Sequence, residues 1–336
     1  MSGALRLHRL AVPAALADRG IDELGVWSVP LTVRFRRIEV REGMVLHGPA
    51  GWAEWSPFWD YDPVESASWL RAALEGATEE LPDAVRDEVP VNVTVPVVPA
   101  AVAHELVAAS GCRTAKVKVA DPRSDLADDV ARVEAVADAL GPGGRVRVDA
   151  NAAWDVETAV RAIGRLDRAA GGLEYVEQPC PGVDELARVR RRVEVPVAAD
   201  ESVRRAEDPV AVARAGAADL IVVKVQPLGG VRRALEVVEA AGLPAVVSSA
   251  LDTSIGIGLA TRLAGALPRL DHACGLGTVR LFRGDVAASS LLPTGGVLPV
   301  RRADVDPSAF TDEPDADLAR RWLGRLEASC AALEGR

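Results

Sequence analysis

Short apolar strands alternate with amphipathic helices from Val91 onward, and this alternation restricts the fold more than any other feature. The predicted strands are Val91–Val95, Ala115–Val119, Arg145–Ala150, Leu173–Glu177, Val195–Ala199, Leu220–Val225, Ala245–Ser249 and a weaker one near His272–Leu276. The predicted helices between them include Ala101–Ser110, Ser124–Leu140, Val156–Ala169, Val231–Ala241 and Ser254–Leu267. Strands and helices in this order form a parallel sheet, and eight strands indicate a closed barrel. The sequence therefore predicts an α/β fold with a TIM-like barrel.

The two ends of the chain have other patterns. Strands are predicted at Leu7–Val12, Val33–Val40 and Met44–His47. We expect a turn at Arg41–Gly43, and then a helix with Asp62 as its N-cap and Pro63 at its first position. A last amphipathic helix is predicted over Asp315–Leu333, and we expect it to pack back on the first unit. The expected divisions are an α+β unit at 1–90, the barrel at 91–302 and a helical segment at 303–336.

Four large aromatic residues lie between the predicted hairpin and helix of the first unit: Trp52, Trp55, Phe58 and Trp59. Such a cluster fits ordinary packing inside the unit. It fits equally well a lid that covers an apolar ligand. The sequence leaves both interpretations open.

Composition excludes several classes of protein. The net charge is −10 and no basic stripe is visible, which argues against nucleic acid as a partner. No apolar run approaches the ~18 residues of a membrane span. The four cysteines are scattered without metal-binding spacing: Cys112, Cys180, Cys274 and Cys330. They are typical of free thiols, so we expect a cytoplasmic protein that binds neither membrane nor nucleic acid.

Lysine is rare in this chain. Of 39 basic residues only three are lysine, at Lys116, Lys118 and Lys224. Alternation along Thr114–Val119 places the first two on one face of a strand. Lysine can lose its proton when it is desolvated or crowded by charge, whereas arginine stays protonated. GC-rich coding would explain the scarcity of lysine but not its positions.

Three acids and one of the lysines lie where successive predicted strands end: Asp149, Glu177, Asp200 and Lys224. The C-terminal ends of the strands meet at one mouth of such a barrel, so we expect these side chains to lie close together. Each has an ordinary interpretation as well. Asp149 and Asp200 could cap the helices that follow them, and Glu177 could be a loop acid. Their joint occurrence at strand ends favours an active site.

Three carboxylates at one place require a cation, because they would otherwise raise one another's pKa. Oxygen ligands without histidine or cysteine point to Mg²⁺, with Mn²⁺ as an alternative. A lysine beside such an ion can remove a proton from a carbon next to a carboxylate, and the ion would stabilise the enediolate. We expect Lys118 to be this base, in its neutral form.

These motifs together resemble the enolase superfamily and, within it, the muconate-lactonizing subgroup. The resemblance rests on Lys116-Val-Lys118, Asp149-Ala-Asn151, Val-Glu177-Gln-Pro, Ala-Asp200-Glu201-Ser, and Lys224 with Gly229-Gly230 downstream. It covers nearly the whole chain. It implies a (β/α)7β TIM-like barrel that carries an N-terminal α+β capping domain.

Two later stretches are similar to the o-succinylbenzoate synthase family of this subgroup, the dehydratases of menaquinone biosynthesis. They are Ser248–Gly256, and Gly275–Thr278 leading into Asp285-Val286. The Asp-x-Asp of dipeptide epimerases is missing from the eighth strand. In the first unit, Gly51–Pro57 resembles the family's capping loop with two tryptophans in place of small residues, and residues 16–30 look short for a mobile lid.

The resemblance implies a reaction and a role for each group. A dicarboxylate, 2-succinyl-6-hydroxy-2,4-cyclohexadiene-1-carboxylate, would lose water from one face to give o-succinylbenzoate. Mg²⁺ would be held by Asp149, Glu177 and Asp200. Lys118 would remove the α-proton and help the hydroxyl leave, Lys224 would steady the enediolate from the opposite side, and Lys116 would assist at the carboxylate.

The remaining implied contacts are less specific. The succinyl end would meet Ser249, with Ser248 and Gly275 nearby, and Asn151 and Glu201 would orient the ligands and Lys224 from behind. The same groups could instead carry N-succinylamino acid racemisation or a cycloisomerisation. A Schiff-base aldolase, or a barrel that only binds, is a further alternative. The oligomeric state stays open.

Overall fold

A computed structural model of the protein describes residues 5–205, 208–311 and 315–335. Parts of the two predicted end units, 1–4, 312–314 and 336, lie outside the described residues. The strands are β1 Arg6–Leu10, β2 Glu23–Phe35, β3 Ile38–Gly48, β4 Gly51–Trp55, β5 Glu88–Pro90, β6 Val93–Val95, β7 Thr114–Lys118, β8 Arg145–Asp149, β9 Leu173–Glu177, β10 Val197–Ala199, β11 Leu220–Val223, β12 Ala245–Val247 and β13 Val297–Pro299.

Helices of widely different length separate these strands. They are α1 Ala14–Ala17, α2 Pro63–Thr78, α3 Ala100–Ala108, α4 Leu126–Leu140, α5 Val156–Ala170, α6 Val183–Arg190, α7 Glu201–Arg204, α8 Ala211–Arg214, α9 Val225–Leu228, α10 Val231–Ala241, α11 Ser254–Ala266 and α12 Ala316–Glu334, with 3₁₀ turns at Gly277–Leu281 and Pro307–Ala309. Within the described residues, no helix is both long and apolar enough to cross a membrane.

Seven parallel strands, β6 to β12, lie side by side in chain order. The ring is closed by a short eighth stretch, in which Cys274 bridges Val91 and Gly275 bridges Ser248, both in parallel. The eighth strand predicted near His272–Leu276 is thus reduced to two bridging residues. The predicted barrel is confirmed.

Side chains of the barrel strands alternate between the interior and the helix layer. In β7, Ala115 and Val117 join the large core shared with the helices, whereas Lys116 and Lys118 are directed inward, toward Glu177 and Asp149 respectively. A separate apolar cluster fills the lower interior of the barrel: Tyr175, Ala198, Leu220, Val222 and Val246. Two residues further along their strands lie three charged residues, Glu177, Asp200 and Lys224, and the neutral Ser248. The polar mouth therefore rests on a packed floor.

The first hairpin differs from the prediction. We expected strands at Val33–Val40 and Met44–His47 with a turn at Arg41–Gly43, but β2 and β3 run through both and turn at Arg36–Arg37, where φ is +49° and +65°. Gly43 is an interior strand residue whose absent side chain leaves room for Trp27, since a Cβ there would lie 2.6 Å from the indole. Glycine is needed here because its lack of a side chain allows close packing, and the prediction mistook it for a turn signal.

Two of the four aromatic residues of the first unit, Trp55 and Trp59, pack against the last helix. Trp55 lies in β4 rather than in the loop we expected, and its ring meets Trp322 of α12 edge-on at 5.4 Å. Trp59 meets the same ring at 5.1 Å. Arg325 of α12 also donates to the Pro57 carbonyl at 3.0 Å. Helix α12 therefore contacts the first unit from the opposite end of the chain.

We predict that Trp322→Ala lowers the free energy of unfolding by about 3–5 kcal/mol, because it removes a fully buried indole and leaves a cavity between α12 and β4. Urea unfolding followed by circular dichroism measures this. The control is Arg320→Ala on the exposed face of the same helix, which should change stability by less than about 0.5 kcal/mol. Equal effects of the two variants would contradict this account of the interface.

Candidate active site

One cavity opens at the C-terminal ends of the barrel strands, and we call it the inner cavity. Most of the predicted site residues line it: Lys116, Lys118, Asp149, Asn151, Asp200, Lys224, Ser248, Ser249 and Gly275. Two predicted residues do not line it. Glu177 lies fully buried beneath Lys116, and Glu201 lies at the rim. Nine of the predicted residues thus meet at one cavity, and the structure shows which of their groups face the open space.

Lys118 and Lys224 come from opposite sides of the ring. Lys118 ends β7, the second strand of the barrel, and Lys224 follows β11, the sixth strand. In a barrel of eight strands, the second and sixth strands lie opposite each other. A ligand in the cavity would have one ammonium group on each side.

Lys116 joins two of the acids. Its Nζ lies 3.0 Å and 3.1 Å from the two carboxylate oxygens of Glu177 and 3.3 Å from Asp149 Oδ2. Burial alone would lower the pKa of Lys116, but these carboxylates outweigh it and raise the pKa. Burial and the charge of Asp149 raise the pKa of Glu177 to about 7. Lys116 and the two acids therefore form one buried ionic cluster.

Lys118 has two oxygen partners. Its Nζ lies 2.5 Å from Asp149 Oδ2 and 2.8 Å from Asn151 Oδ1. Burial disfavours the charged form of Asp149, but Lys118 and Lys116 outweigh burial and hold its pKa below the usual range. Asn151 also donates to Glu201 at 3.3 Å. We had expected Asn151 to orient the metal ligands and Lys224, and the bond to Lys118 is a difference from that expectation.

Asp200 is shared between Lys224 and an arginine that the prediction missed. Lys224 Nζ lies 2.6 Å from Asp200 Oδ2, and Arg204 Nε lies 3.0 Å from Oδ1. Arg204 also bonds Glu201 at 2.6 Å and the Tyr61 hydroxyl of the first unit. Burial lowers the pKa of Lys224, and the charge of Asp200 partly opposes this shift. Arg204 follows Asp200 by one helical turn, and that spacing was the only sequence signal for it.

Helix capping does not explain the strand-end acids. Helix α5 is capped by Asp155, whose carboxylate accepts from Thr158 N at 2.7 Å, while Asp149 accepts from Asn151 N. Asp200 precedes α7 but makes no side-chain capping bond. Both acids instead face the lysines.

The residues fit a divalent cation by their chemistry. Asp149, Glu177 and Asp200 offer only hard oxygen donors, all at most 1% exposed. In the described part of the chain, however, no three His, Cys, Asp or Glu side chains form a ready-made cation site. Their oxygens are engaged by Lys116, Lys118 and the Lys224–Arg204 pair. Binding an ion would require these bonds to loosen.

The opposite wall is neutral. Ser249 Oγ lies 2.6 Å from Thr278 Oγ1 and accepts from Leu251 N at 3.3 Å. Ser248 donates to the Gly275 carbonyl at 3.4 Å, and a Cβ on Gly275 would lie 2.4 Å from the Ser248 hydroxyl. Gly275 is therefore required for close packing of this wall. The wall offers hydroxyl groups but no charge.

Comparisons with known proteins agree with this geometry. Residues 99–304 match the model for enolase C-terminal domain-like sequences, and residues 26–77 match that for enolase N-terminal domain-like sequences. The o-succinylbenzoate synthase of Thermobifida fusca is 59% identical over 92% of this chain and 96% of its own length. That of Mycolicibacterium smegmatis is 50% identical over 96% and 98%. The chain belongs to the o-succinylbenzoate synthase family of the enolase superfamily.

Solved structures of other members share the architecture. The L-Ala-D/L-Glu epimerase of Bacillus subtilis has a TM-score of 0.71 at 24% identity, covering 85% of this chain and 96% of its own. The N-succinyl Arg/Lys racemase of Bacillus cereus has a TM-score of 0.71 at 17% identity, covering 86% and 96%. At such identities the likeness shows the fold alone. The first unit, β1 to α2, is thus the capping domain of the superfamily.

The capping domain also lines the inner cavity, which the sequence only partly indicated. Its contributors are Phe35 and Arg36 at the β2–β3 turn and Phe58 of the aromatic cluster. Of the two interpretations of that cluster, packing holds for Trp55, whereas Phe58 faces the site. The Arg36–Arg37 pair was visible in the sequence, but the misplaced turn hid its position.

Two buried residues of the capping domain hold the loop that follows β12. Glu54 accepts from Thr253 N at 3.0 Å and Gly256 N at 3.2 Å, and Arg41 donates to the Leu251 carbonyl at 3.1 Å. Leu251 lines the inner cavity and has a φ of +63°, which is unusual for a side chain of this type. The cap of this o-succinylbenzoate synthase family member therefore fixes part of the cavity wall.

We predict a pH dependence of stability from Glu54. Burial and the charge of Asp252 raise its pKa from 4.5 to about 8. The folded protein thus binds this proton more tightly than the unfolded chain, so the contribution of Glu54 to stability is full below pH 4.5 and is lost as the pH rises through about 8. In thermal unfolding across this range, Glu54→Gln should lose less stability than the wild type. Parallel curves for the two proteins would refute this assignment.

Proposed function

We propose that this chain dehydrates 2-succinyl-6-hydroxy-2,4-cyclohexadiene-1-carboxylate to o-succinylbenzoate, a step of menaquinone biosynthesis. The observation that carries the proposal is the 59% identity to an o-succinylbenzoate synthase over almost the full length of both chains. The opposed lysines supply the chemistry that such a reaction needs. The four free cysteines favour the cytoplasm as its place.

A Mg²⁺ ion belongs to this proposal, with Asp149, Glu177 and Asp200 as its ligands and Mn²⁺ as a possible substitute. When bound, it would supply positive charge beside the ring carboxylate, where negative charge grows as the α-proton leaves. Lys116 bridges two of these acids at 3.0 Å and 3.3 Å, so it would keep them oriented and add charge near the same carboxylate.

Lys118 would act as both base and acid. Its neutral amine takes the proton from the α-carbon, and the C–H electron pair moves toward the carboxylate. The resulting ammonium then gives a proton to the hydroxyl, which leaves as water while the ring double bond forms. Because one group serves both steps, the proton and the hydroxyl leave from the same face. Asp149 and Asn151 hold Lys118 in position for this task.

Lys224 would serve from the other side. In its protonated form it stabilises the charge that develops on the substrate, and it makes no covalent contact. Asp200 at 2.6 Å orients the ammonium group and favours its charge. Arg204 in turn fixes Asp200 and ties it to Tyr61 of the capping domain.

Removal of divalent metal is the first test. A chelator should abolish conversion of the cyclohexadiene substrate to o-succinylbenzoate, followed by absorbance, and added Mg²⁺ should restore it. Added Mg²⁺ should also raise the melting temperature, because the ion would bind the folded protein, in which the three acids lie together, and not the unfolded chain. Full activity in the presence of excess chelator would contradict the metal assignment.

The opposed lysines would also suit racemisation of N-succinylamino acids, in which each lysine exchanges a proton on its own face. The two functions are separated by isotope exchange in D₂O. For a dehydratase, Lys118→Met should lower dehydration by about 10²–10⁴-fold, and the unaltered enzyme should dehydrate far faster than it exchanges the α-proton of N-succinylamino acids.

The matched variant is Lys224→Met, which removes the same type of group from the opposite side and should lower dehydration through lost charge stabilisation. Melting temperatures of both variants show whether the fold survives. Rapid deuterium incorporation into N-succinylamino acids without dehydration would instead identify a racemase.

A further inference from the structure

Arg36 differs from the other cations of the inner cavity. Lys116, Lys118, Arg204 and Lys224 each lie within 3.0 Å of a carboxylate oxygen. Among the residues that the structure describes, none provides a carboxylate partner for Arg36, although its side chain lines the same cavity. A guanidinium that lacks a carboxylate partner and lies beside a site for anions is a candidate binding group for a second anion.

We infer that Arg36 binds the distal carboxylate of the succinyl chain and so selects dicarboxylate substrates. This inference rests on the proposed function, which supplies a substrate with two carboxylates. The ring carboxylate belongs with the strand-end acids and their ion. The distal one needs a second positive group on another wall.

The backbone brings Arg36 over the catalytic lysine. Strands β2 and β3 project from the capping domain and turn at Arg36–Arg37, both in the left-handed region. The neighbouring Phe35 ring lies 5.4 Å from Lys118 Nζ. The turn therefore closes the side of the cavity above Lys118, and a substrate held there would extend toward it.

The guanidinium of Arg36 is held for recognition of a planar anion. Its Cζ lies 4.0 Å from the ring centre of Phe58, and Phe58 is itself 5% exposed. One N–H contacts the Tyr61 hydroxyl at 3.5 Å, which is a weak bond. Stacking on an aromatic ring limits rotation and leaves N–H groups in the guanidinium plane available, the geometry that binds a carboxylate through two hydrogen bonds.

The serine wall is a poorer partner for the distal carboxylate. Ser249 accepts from Leu251 N and shares a hydrogen bond with Thr278 in which either hydroxyl can donate, so it offers a ligand at most one neutral donor. Its group is neutral, and hydrogen bonds that involve a charged donor contribute more to binding. We therefore assign the distal carboxylate to Arg36, with Ser249 as a neighbour.

A long-range effect of charge must be separated from direct binding. The capping hairpin also borders an outer cleft, which continues from the inner cavity and is lined by Arg34, Arg37, Asp121, Arg123 and Arg205. Arg37 lies in the same turn, has the same charge and also has positive φ, but it lines only this outer cleft. Arg37→Gln is therefore a matched control for Arg36→Gln.

The kinetic experiment combines two glutamine variants with two substrates: the dicarboxylate, and an analogue whose distal carboxylate is a primary amide. Arg36→Gln should raise KM for the dicarboxylate by about 10- to 100-fold, with a smaller change in kcat, and should leave KM for the amide within about twofold. Arg37→Gln should leave both nearly unchanged. Calorimetric binding of o-succinylbenzoate itself should weaken by the same factor in Arg36→Gln, and Arg36→Lys should restore part of it.

Two results would overturn the inference. If Arg36→Gln and Arg37→Gln raise KM equally for the dicarboxylate, the turn acts only through its field. If Arg36→Gln penalises acid and amide alike while its melting temperature is unchanged, the distal carboxylate binds elsewhere. An unaltered enzyme without dehydration activity would overturn the proposed function and this inference with it, so the two failures are distinguishable.

Discussion

The structure depends on the balance of buried charge at the mouth of the barrel. Asp149, Glu177 and Asp200 are almost fully buried and close together, and such a group persists only if cations compensate it. Lys116 and Lys224 supply that compensation from within the barrel wall. The packed apolar floor beneath them excludes water, which strengthens each of these interactions. Burying these charges costs free energy of folding. The same buried charges can bind a divalent ion and an anionic substrate.

The capping domain supplies the parts of the cavity wall that the barrel does not. The barrel supplies the charged groups from strand ends, whose positions are fixed by sheet register. The cap supplies Phe35, Arg36 and Phe58, and it holds the wall at Leu251 through Arg41 and Glu54. The charged groups and the rest of the cavity wall thus come from different parts of the chain. Helix α12, packed on the cap through Trp322, ties the end of the chain to the same unit.

The sequence predicted the barrel and most of its site because both follow local periodic rules. Strand, helix and strand-end position can be counted along the chain, which is why Lys118 and Asp149 were found without a structure. Interactions between segments that are distant in sequence could not be predicted by counting positions along the chain. Arg147 is an example: the pattern of its own strand does not indicate a partner, yet it is fully buried and paired with Glu174 at 2.6 Å. Gly43 misled the prediction for the same reason, since its partner Trp27 lies across the hairpin.

The limits of the strand-end motifs follow from this division. A cavity with two lysines and three acids can remove a proton next to a carboxylate. These groups do not decide what happens to the deprotonated substrate afterwards. An epimerase and a racemase share this architecture at 24% and 17% identity. What differs between such enzymes must lie in groups that touch the rest of the substrate. In this chain the β2–β3 turn and the loop after β12 supply the rest of the cavity wall, and in such turns and loops sequence periodicity carries least information about which side chains face the cavity.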